Sequence, residues 1–339
     1  MNKSRILWID WLKVLAMYLI IAGHLSVPGN KYIYVFSVPS FFILSGFLFK
    51  KEAWGAHLNK TFWNLFIPMM ALLLINLAYR AIANGWGLLP IVKVILRSLA
   101  GYQGQNYAYG GLGALWFVYT LIVCRLLMQF ICSLPSSLQK TALVILNVFF
   151  LFASVLYNRY EVSPYLQFNS IVNVLLAFPF FTIGFILTPI KERMCSCPIN
   201  VKAVLFFLVS VVIILICGKM NGLVYIYMCS YGGSLPLCVL GGAAGFYFLF
   251  FLSKLGEKLI GGNLIIDTLG QGTIIILGLH VLVMTWILSL RSALWSAKSD
   301  FDLYLLALLT LLAFVPINLL FKRYLPILYG RLRLSDPKL

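Results

Sequence analysis

Ten apolar runs, each near 20 residues long, dominate this 339-residue chain. A helix needs about that length to cross the roughly 30 Å hydrocarbon layer of a bilayer. Inside hydrocarbon an unpaired backbone N–H or C=O costs several kcal/mol, so such runs must be helices that satisfy their own backbone. The runs predict spans over 6–25, 32–50, 62–83, 112–133, 139–157, 168–189, 200–218, 232–253, 269–290 and 303–321. Composition agrees, with 62% hydrophobic and 10% charged residues, against about 45–50% and about 25% in soluble domains. Short strands of alternating polarity do not appear, so a membrane β-barrel is not expected. The expected fold class is all-α: a polytopic transmembrane helical bundle of about ten spans, one integral-membrane domain over 1–339. The shorter run 88–100 carries Lys93 and Arg97 and predicts a helix lying in the interface. The first run holds Asp10 and Lys13 and lacks a small-residue cleavage site, so it is expected to insert as a signal anchor and stay.

The net charge of +17 would suit nucleic acid, but its distribution argues against it. With ten spans, 17 of the 26 basic residues fall on the side of the N terminus and 8 on the other, Lys13 being inside the first span. That asymmetry is the positive-inside pattern and predicts both termini in the cytoplasm. The surplus also attracts anionic lipid. Membrane lipid is therefore an expected partner and nucleic acid is not.

The seven cysteines are scattered, mostly in or near apolar spans, where Cys acts as a small hydrophobe. Cys195 and Cys197 share a predicted loop without a nearby His. A zinc site needs four protein ligands, or three plus water, so no metal site is expected.

Charged groups at membrane depth cost at least about 2.5 kcal/mol and are functional candidates by default. The first span, WIDWLKVLAMYLIIAGH, contains Asp10, Lys13 and His24. Eleven residues at about 100° each bring Lys13 and His24 to one helix face, roughly 16 Å apart along the axis. Asp10 lies three residues before Lys13, within pairing range. A plainer reading makes Asp10 and Lys13 an interfacial ion pair and lets His24 end the helix at the headgroups.

Further segments narrow the choice. WIDWLKVLAMYLIIAGH followed by VPSFFILSGFLFKK resembles the opening of the membrane-bound acyltransferase family 3, which includes bacterial polysaccharide and lipopolysaccharide O-acetyltransferases. Asp10, Lys13, His24, Phe41, Phe42, Ser45, Gly46 and Phe47 fit its signature. GALWFVYTLIVCRLL (113–127), with Trp116, resembles the family's Leu-Trp-Phe span. AFPFFTIGFIL (177–187) resembles its Pro-Phe-Phe and Gly span. LGQGTIIILGLH (269–280) resembles the penultimate span, which ends in His, here His280. Two positions depart from the pattern. Lys13 stands where Arg is usual and lacks the planar fork suited to phosphate. Asn64 stands near the place of an Arg before the third span, with Lys60 one turn earlier.

The resemblance implies transfer of an acetyl group from cytoplasmic acetyl-CoA, a donor substrate rather than a resident cofactor, to a sugar hydroxyl. The acceptor would be a cell-surface glycan or its lipid-linked precursor, and the protein would lie in the bacterial inner membrane. Such a transfer needs a base for the hydroxyl proton and polar groups for the oxyanion. His24 is the implied catalytic base, with Asp10, Lys13, Lys60, Phe42, Ser45, Trp116 and His280 as binding residues. The Lys13–His24 separation is comparable with an extended pantetheine arm.

Other readings have less behind them. Gly270–Gly272 lacks the strand–turn–helix context of a dinucleotide site. Ser45 lacks the G-x-S-x-G elbow of hydrolases, and its Ser-Gly pair suits close helix packing, as does the Gly241/Gly245 pair. His57 falls in a predicted cytoplasmic loop, 51–61, where a structural or solvated role is the default. His280 lies mid-span, suited equally to bonding a neighbouring helix or touching substrate. The rival from another class is a transporter of a glycan precursor or small anion, for which buried Lys and His and Pro-interrupted helices would suit. A non-catalytic scaffold in glycan assembly is a third.

Overall fold

A computed structural model describes residues 6–103, 111–160, 169–294 and 299–330. The start of the sixth predicted span, at 168, and the terminal basic residues Lys3, Arg5, Arg331, Arg333 and Lys338 lie outside them. The helices are α1 (Leu7–His24), α2 (Asn30–Tyr34), α3 (Ser37–Phe47), α4 (Trp54–Thr61), α5 (Ile67–Asn84), α6 (Leu88–Leu99), α7 (Trp116–Ser133) and α8 (Ser136–Tyr160). They continue as α9 (Val174–Ile186), α10 (Lys191–Cys195), α11 (Val201–Asn221), α12 (Leu235–Leu259), α13 (Leu264–Gln271), α14 (Thr273–Leu294) and α15 (Asp300–Tyr324). Among the described residues nine helices are long and apolar enough to cross a membrane. The second predicted span, 32–50, adds a tenth, broken crossing. The protein is an all-α, multi-pass membrane bundle.

The break in that span corrects the sequence reading, which drew one helix over 32–50. Pro39 sits in the first turn of α3. Its ring clashes with the carbonyl four residues earlier, at Val35, and it has no N–H to give. Helix α2 therefore stops at Tyr34 and α3 restarts at Ser37. A second correction concerns 51–61, drawn as a loop. Residues 54–61 form α4, which runs through a π-helical turn, Phe62–Phe66, into α5. Pro68, near the start of α5, cannot donate to the carbonyl of Asn64, and the π turn absorbs that defect. His57 therefore lies on a helix and not in a loop, and of the structural and solvated roles it takes the structural one. It is fully buried on α4 beside the Phe49 ring.

Helix α1 is central, packing against α3, α12, α13, α14 and α15. Gly46 of α3 and Gly184 of α9 bring those two helices into backbone contact. A Cβ at Gly46 would collide with the Phe181 carbonyl, and one at Gly184 with the Ile43 carbonyl. Gly241 and Gly245 of α12 likewise admit Val35 and Phe36. Five cysteines, Cys124, Cys132, Cys217, Cys229 and Cys238, are buried as small apolar groups. By contrast α8 and α11 expose rows of large apolar side chains, such as Val144, Val148 and Phe152, or Leu205, Leu208 and Val212, to the lipid. Helix α6 exposes Leu88, Leu89, Val92, Leu96 and Leu99 along one stripe, as a helix lying in the interface would.

The two ends of the described chain meet at one face. Asp10 packs on Gly270, Asn318 donates to the Thr268 carbonyl at 3.3 Å, and Tyr329 donates to the Asn318 carbonyl at 2.7 Å. The even number of crossings read from the charge split has this geometry.

Candidate functional site

At the far end of α1 the chain turns sharply. Ser26 has φ of 54° and Gly29 of 82°, so the helix cannot continue past His24. The turn is fastened from several sides. Asn30 donates to the Gly23 carbonyl at 3.0 Å, and Tyr34 packs its ring on Gly23. Tyr304 of α15 donates to the Pro28 carbonyl at 2.6 Å. These contacts hold His24 at the rim of a cavity of about 240 Å³.

His280 lies directly beside His24, their ring centroids 4.9 Å apart and their planes tilted by 50°. The His280 Nδ1 atom is 2.9 Å from the Leu277 carbonyl and 3.1 Å from that of Ile276. A carbonyl can only accept, so Nδ1 carries the proton and Nε2 presents the lone pair. That Nε2 is buried and has no hydrogen-bond partner. The sequence left His280 equally suited to a neighbouring helix or to substrate. The structure bonds it to its own helix and sets it against His24.

The cavity walls come from α1 (Ile20), α2 (Tyr34), α3 (Val38), α5, the 111–116 segment and the 224–228 segment. Helix α5 turns Leu73, Asn76, Leu77 and Arg80 toward it, the i, i+3, i+4, i+7 face of one helix. Asn76 donates to the Gly278 carbonyl at 2.9 Å, which ties α5 to α14 two residues before His280. Trp116 lines the cavity and its ring centroid lies 6.4 Å from that of Phe42, a fully buried side chain of α3. Ser45 is partly buried on the same helix, toward the other face.

The remaining residues singled out in the sequence lie at that other face. Lys13 Nζ is 3.5 Å from Asp10 Oδ1 and 3.5 Å from the Gly270 carbonyl. Asp10 is 5% exposed, so the pair is not a solvated surface bridge. Lys60 is paired instead with Glu52, across the α4 connection. The hydrogen bond from Lys60 holds the Glu52 carboxyl below its usual range. Gln129 of α7 donates to the Glu52 backbone carbonyl at 2.6 Å. Arg125 and the buried His57 complete that cluster. Between the two faces, Met17 and Ile20 continue the Lys13–His24 stripe of α1, and both are buried.

The site thus has two poles on one helix: a cationic pole at Lys13 and an imidazole pair over a cavity at His24. A family model described as an acyltransferase domain, that of acyltransferase family 3, matches residues 6–323. The chain belongs to that family. It is a membrane acyltransferase, which answers the transporter reading. No curated protein and no solved structure shows significant similarity to it.

Sequence reasoning found both histidines but missed much of the cavity wall. Arg80 is only one of the eight basic residues of the minority side, and nothing in the sequence marks Asn76, Gln103, Tyr225 or Tyr227 as cavity wall. The last three lie in segments between or before spans with no distinctive spacing. Only the i, i+4 relation of Asn76 and Arg80 was there to be found.

Proposed function

We propose that this acyltransferase moves an acetyl group from cytoplasmic acetyl-CoA to a sugar hydroxyl at the opposite face, with His24 as the general base. The observation that carries the reading is the His24–His280 pair at a cavity on the end of α1 opposite Lys13. A neutral imidazole at His24 takes the sugar hydroxyl proton as that oxygen attacks the thioester carbonyl carbon. The C–S bond breaks, and the imidazolium returns the proton to the departing thiolate, giving free CoA thiol. Nothing in this sequence of steps calls for a redox partner or a metal. An acetyl-His24 intermediate would follow the same proton balance in two halves. His280, with its proton fixed on Nδ1, offers Nε2 to orient or share a proton with His24, the base-and-orienter arrangement of acyl transfer. Asn76 holds the α14 segment in register for that.

The cavity is near the lower bound of small-molecule sites, about 300–1,000 Å³. It suits one sugar unit and an acetyl group better than a whole nucleotide cofactor. The donor nucleotide belongs at the Lys13 pole, with the pantetheine arm passing Met17 and Ile20, which must give way. The acceptor would be a cell-surface glycan or its lipid-linked precursor and the membrane a bacterial inner membrane, and the 17-to-8 charge split supports a cytoplasmic Lys13 pole.

The test is reconstitution. Protein in lipid nanodiscs, given radiolabelled acetyl-CoA and glycan acceptor, should form labelled ester, and deletion in the native cell should remove acetyl from surface glycan. Absence of acetyl transfer to any glycan with intact, folded protein would overturn the reading.

A further inference from the structure

Resting on that reading, we propose that Asn76 selects the acceptor by accepting a hydrogen bond from a second hydroxyl of the same sugar ring. The substrate class is then a sugar with a free hydroxyl close to the one it esterifies. The orientation of the Asn76 amide carries this. Its Nδ2 lies 2.9 Å from the Leu72 carbonyl and 2.9 Å from the Gly278 carbonyl. A primary amide has two N–H donors and one carbonyl oxygen. Turned the other way, the amide would set that oxygen against two carbonyl oxygens, so chemistry fixes the assignment. Both donors are therefore taken within the protein. What Asn76 has left for the cavity it lines is Oδ1, an acceptor with two lone pairs.

The level suits a neighbour of the reactive hydroxyl. The Nδ2 bond holds Asn76 at Gly278 of α14, and His24 packs on His280, two residues and about 3 Å further along that helix. Asn76 and His24 thus face one cavity from α5 and α1 at nearly the same depth. The wall around them is apolar: Leu73 and Leu77 on α5, Leu115 beside Gly278, and Ile20 one turn before His24. A ring that fills the cavity without a donor at that place leaves the amide oxygen buried and unpaired, which costs more than a hydrogen bond nets. Rejection is then stronger than attraction, the pattern of a site built to bond a substrate hydroxyl. A ring already acylated at the second hydroxyl has lost that donor, so the same geometry limits the pair to one acetyl group.

The experiment uses the whole protein in nanodiscs with acetyl-CoA and the methyl pyranosides of glucose, galactose and mannose as probes. For each probe used, the esterified position is found by NMR. Every other hydroxyl is then replaced in turn by hydrogen and by fluorine. Wild type should use the parent about 5- to 100-fold better, in kcat/KM, than one monodeoxy analogue, the cost of an unpaired buried acceptor. The fluoro analogue at that position should be as poor, because fluorine can accept a hydrogen bond but not donate one. In Asn76→Leu the parent-to-deoxy ratio at that position should fall to about one, whatever the overall rate. If Asn76→Leu does not fold by thermal melt, the deoxy and fluoro comparison in wild type decides alone. Equal use of the parent and every deoxy analogue, a fluoro analogue as good as the parent, or an unchanged ratio in folded Asn76→Leu overturns the proposal and leaves acetyl transfer standing. Thermal stabilisation by the same probes is read in parallel. Stabilisation by a parent but not by one of its deoxy analogues, without turnover, sustains the hydroxyl site and refutes acetyl transfer. No turnover and no selective stabilisation refutes both.

Discussion

Replacing Gly46 by Ala tests the packing that positions the site. In the structure an added Cβ at Gly46 meets the Phe181 carbonyl, with Phe181 C at 2.8 Å and Phe185 N at 3.0 Å. These are backbone atoms, which cannot swing aside as a side chain would. Helices α3 and α9 would have to part by roughly 1 Å or more, and a gap of 0.5–1 Å forfeits about a quarter to a half of each dispersion contact. Fully buried Ile43, Phe47, Phe178 and Phe181 lie along that seam. Overpacking costs typically about 1–3 kcal/mol, and a backbone-to-backbone clash belongs at the upper end. About 3 kcal/mol lowers Tm by roughly 5–10 °C in a large chain. The buried thiols of Cys124, Cys217, Cys229 and Cys238 give the assay, since a thiol-reactive dye reports their exposure as purified protein is heated in detergent. Gly55→Ala is the control: Gly55 is exposed on α4 with nothing within 4 Å of a built Cβ, so it should be neutral or slightly stabilising by helix propensity. Wild-type stability in Gly46→Ala, or an equal loss in Gly55→Ala, would refute the argument.

Four further outcomes follow from the same geometry. Topology reporters fused at Lys140 and Lys338 should both read cytoplasmic, and an external reading at either breaks the orientation. Lys13→Ala, made with Asp10→Asn so that no buried carboxylate is stranded, should raise the donor KM more than it lowers kcat, the mark of lost uniform binding; unchanged donor affinity removes Lys13 from the donor site. His57→Ala should cost about 2 kcal/mol or more by thermal melt through the cavity left against Phe49, and His57→Leu, which refills that space, should recover most of the loss. His280→Phe should keep the packing on His24 yet lower kcat, and full kcat would deny His280 a part in orienting the base.

The spans were legible because bilayer thickness imposes a length that composition alone reveals. Breaks inside them were less so. An apolar run reads the same whether or not the helix is interrupted, and the informative residues at 32–50 and 62–83 were Pro39 and Pro68, each acting on a carbonyl four residues earlier. The helix at His57 was missed because a polar stretch, His57–Lys60, looks like a loop until Phe49 and α7 fold over it. Lys13 and His24 could be set on one face by helical periodicity. Their meeting with Gly270 and His280, more than 250 residues away in the chain, depends on how α13 and α14 pack on α1. Arg80 was hidden for a different reason: at the end of a span, a basic residue is the ordinary interfacial anchor.

The central claim is that His24 is the base of the acyl transfer, and turnover per folded molecule of His24→Ala tests it most directly. The variant, purified and counted by a folded-state thiol assay, should bind acetyl-CoA as wild type does while its acetyl-transfer rate falls by about 10²–10⁴-fold, the usual contribution of a general base. A helix-end role for His24 would instead lower the yield or thermal stability and leave each surviving molecule fully active. That second result would contradict the mechanism, although membership of the acyltransferase family and the bundle itself would stand.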